Sequence, residues 1–493
     1  MTTIIGRRAR LLGTAFGALT LLSACAVGPD YERPSAAVPP AYKEGGVIPV
    51  AFAPPVPRDD GWRPAAPGQA EPGPWWTVFN DPVLDGLMRR VEVDNQSLKA
   101  TEAAYRQAKA LSDQARSSFF PVLSVSGGAD RAGTVGSGNR SVSGIGVSRG
   151  GTPVTTYDAG LGASWAPDLW GRIRRSVESN DANFQASAAD LAAARLSAQA
   201  QLATAYVQFR VADERKALLE RAIAAYRQSL EIARNRHAVG TATLADVFTA
   251  ETQVRSTESQ LVALGVQRAQ FEHAMAVLVG QAPAAFALAP APLTAAVPAI
   301  PPGVPSALLE RRPDIAAAER QMAQANAQIG IAEAAWYPDV VLSGSLTNSA
   351  TILPKLLQAP TAIWAVGAQV AQTLFDGGTR AAEVELRRAV FDQSVAQYRQ
   401  TVLTAFQEVE DQLAAQRILA QQAAVQDDAV RLAREAERLT LNQYRAGTLP
   451  YSSVLTAQTA ALSDEESALS VRQSRLLAAV SLLQALGGTP PNF

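Results

Sequence analysis

From Leu191 onward the apolar side chains recur at spacings of three, four or seven: Leu191, Ala198, Leu202, Ala205, Phe209, Ala212, Leu219, Ile223, Tyr226, Leu230 and Ala233, with Lys216 on the same seam. That rhythm predicts a helix over residues 171–239 that offers a coiled-coil-like seam to a neighbour. Pro167 and Gly171 are the last helix breakers before Gly240. The helix therefore runs for roughly 65 residues, which at ~1.5 Å per residue is on the order of 100 Å. Gly240 can take the left-handed conformation that ends a helix cheaply, and Thr243 stands where it can cap the next one. A second helix over 244–280 makes an antiparallel hairpin with residues 240–243 at its tip.

Upstream the period shortens to two. Leu123, Val125, Gly127 and Ala129 alternate with Ser124, Ser126, Gly128 and Asp130. After a Gly/Ser-rich loop, Tyr157, Ala159, Leu161, Ala163 and Trp165 alternate with Asp158, Gly160, Gly162 and Ser164. A strand pair is expected within about 121–167. Strands of about ten residues with one apolar and one small polar face suit a transmembrane β-barrel. The same pattern suits a hairpin lying on a soluble core with its polar face in water. Before the strands, Asp81 and Pro82 place an N-cap ahead of a proline at the first helical position. One helix is expected from Val83 to about Ser118, ending before Pro121. Residues 25–74, rich in Pro, Gly and Ala and without a sustained period, read as an extended N-terminal tether closed by the aromatic anchors Trp75 and Trp76.

The plan then repeats. A Pro/Ala-rich linker over 282–304 separates a first repeat (75–281) from a second (305–488), and residues 489–493 form a tail. Phe119-Phe120-Pro121 is matched by Trp336-Tyr337-Pro338. Strands are expected within about 338–374, where Val340, Leu342, Gly344 and Leu346, then Trp364, Val366, Ala368 and Val370, alternate with their neighbours. A long helix over 380–444, a tip over 445–450 and a helix over 451–486 complete the copy. Gly447 follows Gly240 by 207 positions (447 − 240), and at that offset Val247 meets Val454, Thr249 meets Thr456, Ala250 meets Ala457 and Thr252 meets Thr459. Helix, strand pair, long helix, tip and helix thus occur twice. Two strands per copy give four per chain. Four strands cannot close a barrel, and lipid tolerates no open sheet edge. Membrane strands therefore demand an oligomer: two chains would give a filled lumen, three a pore.

Composition narrows the function classes. The chain carries 44 Lys+Arg against 45 Asp+Glu, a net charge of −1 that offers no electrostatic reason to expect nucleic acid. Its mean hydropathy of zero fits neither a disordered chain nor one built of membrane helices. The one sustained apolar run, residues 11–22, is too short to span a bilayer; with Arg7, Arg8 and Arg10 before it, it reads as a signal peptide over 1–24. Cys25, the only cysteine, closes Leu22-Ser23-Ala24-Cys25, which resembles the bacterial lipobox. Cleavage before Cys25 and covalent lipid on it, a diacylglycerol and an N-acyl chain such as palmitate, are expected. Ala26 stands where lipoproteins retained in the inner membrane usually carry Asp, so the implied destination is the outer membrane. His237 and His273 lack metal-ligand spacing, and neither a phosphate loop nor a nucleophile elbow is present. No enzyme, no metal and no cofactor beyond the lipid are expected.

With these elements in place the chain resembles the TolC-like outer-membrane factors, in the lipoprotein branch that serves RND-type tripartite efflux pumps. The resemblance covers almost all of the sequence after the signal peptide. It rests on the lipobox at Cys25, the entry segment 76–84, Leu309-Glu310-Arg311-Arg312-Pro313-Asp314-Ile315 with Glu319, Ala325-Asn326-Ala327-Gln328-Ile329-Gly330, Tyr337-Pro338 and the two Gly-Thr tips. It implies a mixed, mainly α fold: a homotrimer whose twelve-stranded outer-membrane β-barrel joins a twelve-helix periplasmic α-barrel, with the linker in an equatorial belt. The implied function is passive conduction of drugs or other small toxic compounds from a periplasmic pump to the exterior, and hence drug resistance. The implied partners are a periplasmic adaptor (membrane-fusion) protein, an inner-membrane RND-type transporter and outer-membrane lipid.

The same resemblance assigns site residues. Gly240, Thr241, Gly447 and Thr448 fall at the tips where adaptor hairpins dock. Relatives carry gate aspartates nine and six residues after the second tip glycine; here those positions are Thr456 and Ser453. Asp246, six residues after Gly240, is the nearest carboxylate of the first copy, readable as a gate group or as an exposed helix charge. Tyr444 and Arg445 are candidates for tip hydrogen bonds that hold a closed state. Arg311-Arg312-Pro313-Asp314 reads as a helix start, with Asp314 favouring its positive end. A type I secretion duct for polypeptides would use the same architecture and is the alternative. From a different class, a periplasmic adaptor lipoprotein would need one hairpin and no lipid-facing sheet.

Overall fold

The computed structural model describes residues 26–36, 38–44, 74–133, 153–298, 300, 305, 308–356, 358 and 362–488. The signal peptide, Cys25, much of the tether, part of the linker and the 489–493 tail lie outside the described residues. In chain order the helices are α1 (Pro82–Asp94), α2 (Gln96–Ser117), α3 (Arg172–Ala238), α4 (Leu244–Leu278), α5 (Leu308–Arg311), α6 (Pro313–Ala334), α7 (Thr379–Arg445) and α8 (Tyr451–Ala485). The strands are β1 (Val122–Ala132), β2 (Val154–Trp165), β3 (Asp339–Ala350) and β4 (Ala362–Ala371). Both long helices, α3 and α7, have 67 residues. The chain divides into two compact units.

The first unit draws on Met1–Arg33, Gln107–Phe184 and Arg320–Val395. It holds a four-stranded sheet in the order β1-β2-β3-β4, every pair antiparallel. The register lines up Val125, Leu161, Leu346 and Trp364 in one row, and Leu123, Ala163, Gly344 and Val366 in another of the same face. The opposite face shows Ser124, Gly162, Ser345 and Ala365, then Ser126, Gly160, Thr347 and Ile363. The first apolar row is open: Val125 is 82% exposed, Leu161 55%, Leu346 46% and Trp364 75%. Such a face is not lying on a soluble core, which decides between the two strand readings in favour of a surface that meets something apolar. Aromatic side chains hold the sheet's junctions. Trp165 Nε1 donates to Phe119 O at 2.9 Å, and Trp170, stacked on Tyr337 at 5.0 Å, donates to Pro338 O at 2.8 Å.

The start of the extended tether is docked in this unit. Val27 N–H donates to Trp170 O at 3.1 Å, and Asn326 Nδ2 donates to Pro29 O at 2.9 Å. Arg175, nearly buried, donates to Val27 O, Gly28 O and Asp30 Oδ1 at 3.2, 3.0 and 2.9 Å. Gly28 has φ +99°, and a Cβ there would lie 2.4 Å from Gly330 Cα. The Asn326-to-Gly330 motif therefore serves as the seat of the N-terminal segment.

The second unit draws on Pro34–Arg106, Gln185–Glu319 and Ala396–Phe493. All eleven apolar seam positions from Leu191 to Ala233 are buried, whereas Lys216 is exposed and pairs with Glu220 at 3.8 Å. The main core gathers Trp75, Phe79, Met88, Leu202, Tyr206, Phe209, Met275, Leu476 and Leu483. Asp81 caps α1 as expected: Val83 and Leu84 N–H donate to Oδ1 at 2.9 and 3.2 Å, and Tyr206 OH donates to Oδ2 at 2.6 Å.

The single helix expected from Val83 to Ser118 is instead two, α1 and α2. Asn95 between them is extended (φ −62°, ψ 120°). Its Oδ1 accepts from Leu98 N at 3.0 Å and its Nδ2 donates to Leu278 O at 2.8 Å, so a buried side chain rewards the break. The second copy breaks likewise at Arg312, before the equally long α6 (22 residues, as in α2). Arg312 forks onto Asp314 at 3.0 and 2.7 Å and reaches Glu408 at 2.6 Å, a structural clamp at the helix start. The linker is held rather than loose: Arg210 donates to Ala289 O and Arg268 to Leu288 O at 2.9 and 3.0 Å. The tether also docks in this unit, where Lys43 and Glu44 N–H donate to the two Glu410 carboxylate oxygens at 2.7 and 3.0 Å.

Candidate functional site

The two tips lie in the second unit and share one backbone device. α3 ends at Gly240 (φ +76°) and α7 at Gly447 (φ +80°). Gly240 N–H donates to His237 O at 2.9 Å and Thr241 N–H to Arg236 O at 2.8 Å. Gly447 N–H donates to Tyr444 O at 2.9 Å and Thr448 N–H to Gln443 O at 3.0 Å. These are the paired bonds that satisfy the last carbonyls of a glycine-terminated helix. In both tips the threonine hydroxyl donates to the same carbonyl as its own N–H, at 3.1 Å for Thr241 and 2.9 Å for Thr448. The Gly-Thr pair is therefore a helix terminator in each copy, and all four residues are solvent-exposed.

Beyond the glycine the tips part. Thr243 and Asp246 form a reciprocal capping box: Asp246 N–H donates to Thr243 Oγ1 at 3.2 Å, while Thr243 N–H donates to Asp246 Oδ2 at 3.0 Å. Asp246 is thus engaged in starting α4. The second tip starts α8 after Pro450 with no side-chain cap. Its stability comes from burial instead. Tyr444 and Tyr451, with ring centroids 5.7 Å apart, join Tyr226, Leu230, Val247, Val254 and Val454 in one cluster. Burial pushes the Tyr451 hydroxyl up to about 12 and raises that of Tyr444.

Tyr444 was expected to hydrogen-bond through the tip; its hydroxyl is buried and meets no partner among the described residues. The bonds run through its carbonyl and ring. Arg236 of the first tip donates to Tyr444 O, stands 4.7 Å from its ring centroid, and also donates to Thr241 O at 3.4 Å. One guanidinium therefore ties the tips together by hydrogen bonds and a cation–π contact. Arg236 was missed because a cation in the last turn of a helix already has a sufficient reason there, the helix dipole. Arg445 is exposed, Ser453 half-buried, and Thr456 exposed with its hydroxyl donating to Ser452 O at 3.0 Å. Among the described residues no cluster of His, Cys, Asp and Glu suits a metal ion.

Against known proteins, the family model described as outer membrane efflux protein matches residues 87–281 and 304–488, more than half of the chain. The pyoverdine export outer membrane protein OpmQ of Pseudomonas aeruginosa is 31% identical over 444 residues, covering 88% of this chain and 93% of its own. The toluene efflux pump outer membrane protein TtgC of Pseudomonas putida is 29% identical over 473 residues, covering 95% and 93%. Among solved structures, the outer-membrane channel OprN aligns with a TM-score of 0.82 and 29% identity over 94% of this chain and 99% of that one.

Proposed function

This chain belongs to the outer membrane efflux protein family and is an outer-membrane efflux channel, and on that premise we propose that it is the exit duct of a tripartite, RND-type efflux system. Three chains pool their four strands into a twelve-stranded barrel, and the long helices α3, α4, α7 and α8 are the staves of a helical tube. The observation that carries this reading is the sheet, whose apolar rows are open and whose outer strands β1 and β4 each have one neighbour. An open edge in lipid leaves backbone groups unsatisfied, and closure with further copies removes it. The duct does no chemistry: it conducts drugs or other small toxic compounds delivered by an inner-membrane transporter. A periplasmic adaptor docks on Gly240, Thr241, Gly447 and Thr448, and Asp246, Tyr444, Arg445, Ser453 and Thr456 flank the entrance that opens. Lipid on Cys25 anchors the mature N-terminus.

Mass measurement of the detergent-purified protein tests the architecture: three chains are expected, and a monomer would sink the duct. A deletion strain should be sensitised to dyes, detergents and antibiotics. Unchanged tolerance together with loss of a secreted polypeptide would assign the chain to type I secretion instead. Cys25→Ser should abolish labelling by palmitate, and label still entering the variant would refute the lipobox.

A further inference from the structure

The apolar face of the sheet is unevenly covered. Its rows run Val125, Leu161, Leu346 and Trp364, then Leu123, Ala163, Gly344 and Val366, then Trp165, Leu342 and Ala368. The first row is bulky throughout. In the second the two inner positions are alanine and glycine, and in the third the β4 position is again alanine. Neighbouring side chains on one face stand side by side, so small ones among large ones leave a slot. That slot measures about 470 Å³, with Trp165, Leu342 and Val366 as its walls and Ala163, Gly344 and Ala368 as its floor. A Cβ on Gly344 would meet nothing within 4 Å.

No charged side chain lines the slot, and its two serines, Ser164 and Ser343, stand at alternate positions whose side chains belong to the opposite face. It crosses β2, β3 and β4, two interstrand spacings or about 10 Å. An apolar, slender occupant fits it. The N-terminal segment is held at the foot of the same strands. Val27 N–H donates to Trp170 O at 3.1 Å, and Trp170 Nε1 donates to Pro338 O at 2.8 Å, one residue before β3. Ala26 is exposed, and its Cα would stand 2.8 Å from a Cβ on Gly171. Cys25 is bonded to Ala26, a Cα step of about 3.8 Å. Leu342 lies four positions after Pro338 (342 − 338), about 13 Å of strand. A lipid chain spanning one leaflet covers about 15 Å, half of the hydrocarbon core.

We infer that this slot is the seat of one fatty-acyl chain carried by Cys25, which passes Trp165 and lies across Ala163 and Gly344 as a side chain of the sheet. The inference rests on the lipobox and the membrane-facing sheet of the proposed function, and adds to them a place for the lipid. A lipid that only anchors needs a loose leash. Here Val27 is bonded to Trp170 and Pro29 to Asn326, so the attachment point has little slack. A bilayer lipid has the same hydrocarbon chemistry but must be captured from the membrane, whereas a chain tethered beside the slot meets it at high effective concentration.

The test uses the full chain, made in cells fed a palmitate analogue with a diazirine midway along its chain. Membranes are irradiated, and cross-linked peptides of the purified protein are read by mass spectrometry. A peptide containing Cys25, joined through its lipid to residues within 163–165, 342–344 or 366–368, is expected in the unaltered protein. Gly344→Leu fills the slot; it should cut the yield of that joined peptide about tenfold, with incorporation of the analogue and the oligomer's mass unchanged. Absence of the analogue from Cys25 would remove the lipobox reading and the seat with it. Analogue present on Cys25 but joined only to membrane lipid or to other segments would overturn the seat and leave the anchor standing, as would full yield in Gly344→Leu. Equal labelling of the strands by free phospholipid in the unaltered protein and in Cys25→Ser would give the slot to a bilayer lipid instead.

Discussion

The two tips are the most direct comparison the molecule offers, because each position in one has a counterpart 207 residues on. The backbone terminators are the same, glycine and threonine included. The side chains around them are not. His237 and Leu244 of the first tip are exposed, while their counterparts Tyr444 and Tyr451 are buried. Thr243 and Asp246, which cap α4, have Pro450 and Ser453 as counterparts, which cannot form such a box. The first tip is held by local bonds and lends a cation; the second is held by burial and receives it. Duplication has kept the rule for ending a helix and divided the labour of securing it.

This division can be tested by matched substitutions read by thermal unfolding. The largest effect is expected for Tyr451→Ala, about 3 kcal/mol or more, since it empties a buried ring site. Leu244→Ala, its exposed counterpart, should stay within about 0.5 kcal/mol. Equal losses at the two positions would break the asymmetry. Arg236→Ala should come next, at about 1–2 kcal/mol for its hydrogen bonds and ring contact, whereas Gln443→Ala should be near neutral. Hydrogen exchange at Thr448 and Ala446 should speed up in Arg236→Ala, and unchanged protection there would remove the guanidinium from its bridging role.

Thr243→Ala should cost about 1 kcal/mol through loss of the cap, with Ser453→Ala silent. The last effect is confined to alkaline solution. The hydroxyls of Tyr226 and Tyr451 stand at about 12 against an ordinary 10.0. The folded state thus keeps protons that the unfolded state gives up, so the stability they contribute is intact below pH 10 and is lost as pH rises through about 12. Tyr451→Phe should flatten that alkaline decline, and an identical decline in the variant would assign it elsewhere.

Much of this architecture was legible in the chain. The three-four seam of α3 records which face is buried, the period-two strands record which face is apolar, and the 207-residue echo records that the plan occurs twice. The helix break at Asn95 was not legible, because Asn there acts through partners at Leu98 and Leu278 that a local window does not contain. Arg236 escaped for a similar reason: its partner, Tyr444, is distant in sequence, and the acceptor is a carbonyl, which every residue has. Asp246 carried two readings, gate group or surface charge, and its geometry supplies a third, a helix cap. Patterns report faces; pairings across the fold need coordinates.

The contact between Gly28 and Gly330 works as an index mark. A Cβ at position 28 would stand 2.4 Å from Gly330 Cα, and one at 330 would meet the stem of Arg175 at 2.8 Å. Sliding the N-terminal strip by a single residue would bring the side chain of Val27 or Pro29 to a place that holds only hydrogen. The strip can therefore be read by its helix in one alignment only, and neither glycine has room for a side chain, whatever stands at the other.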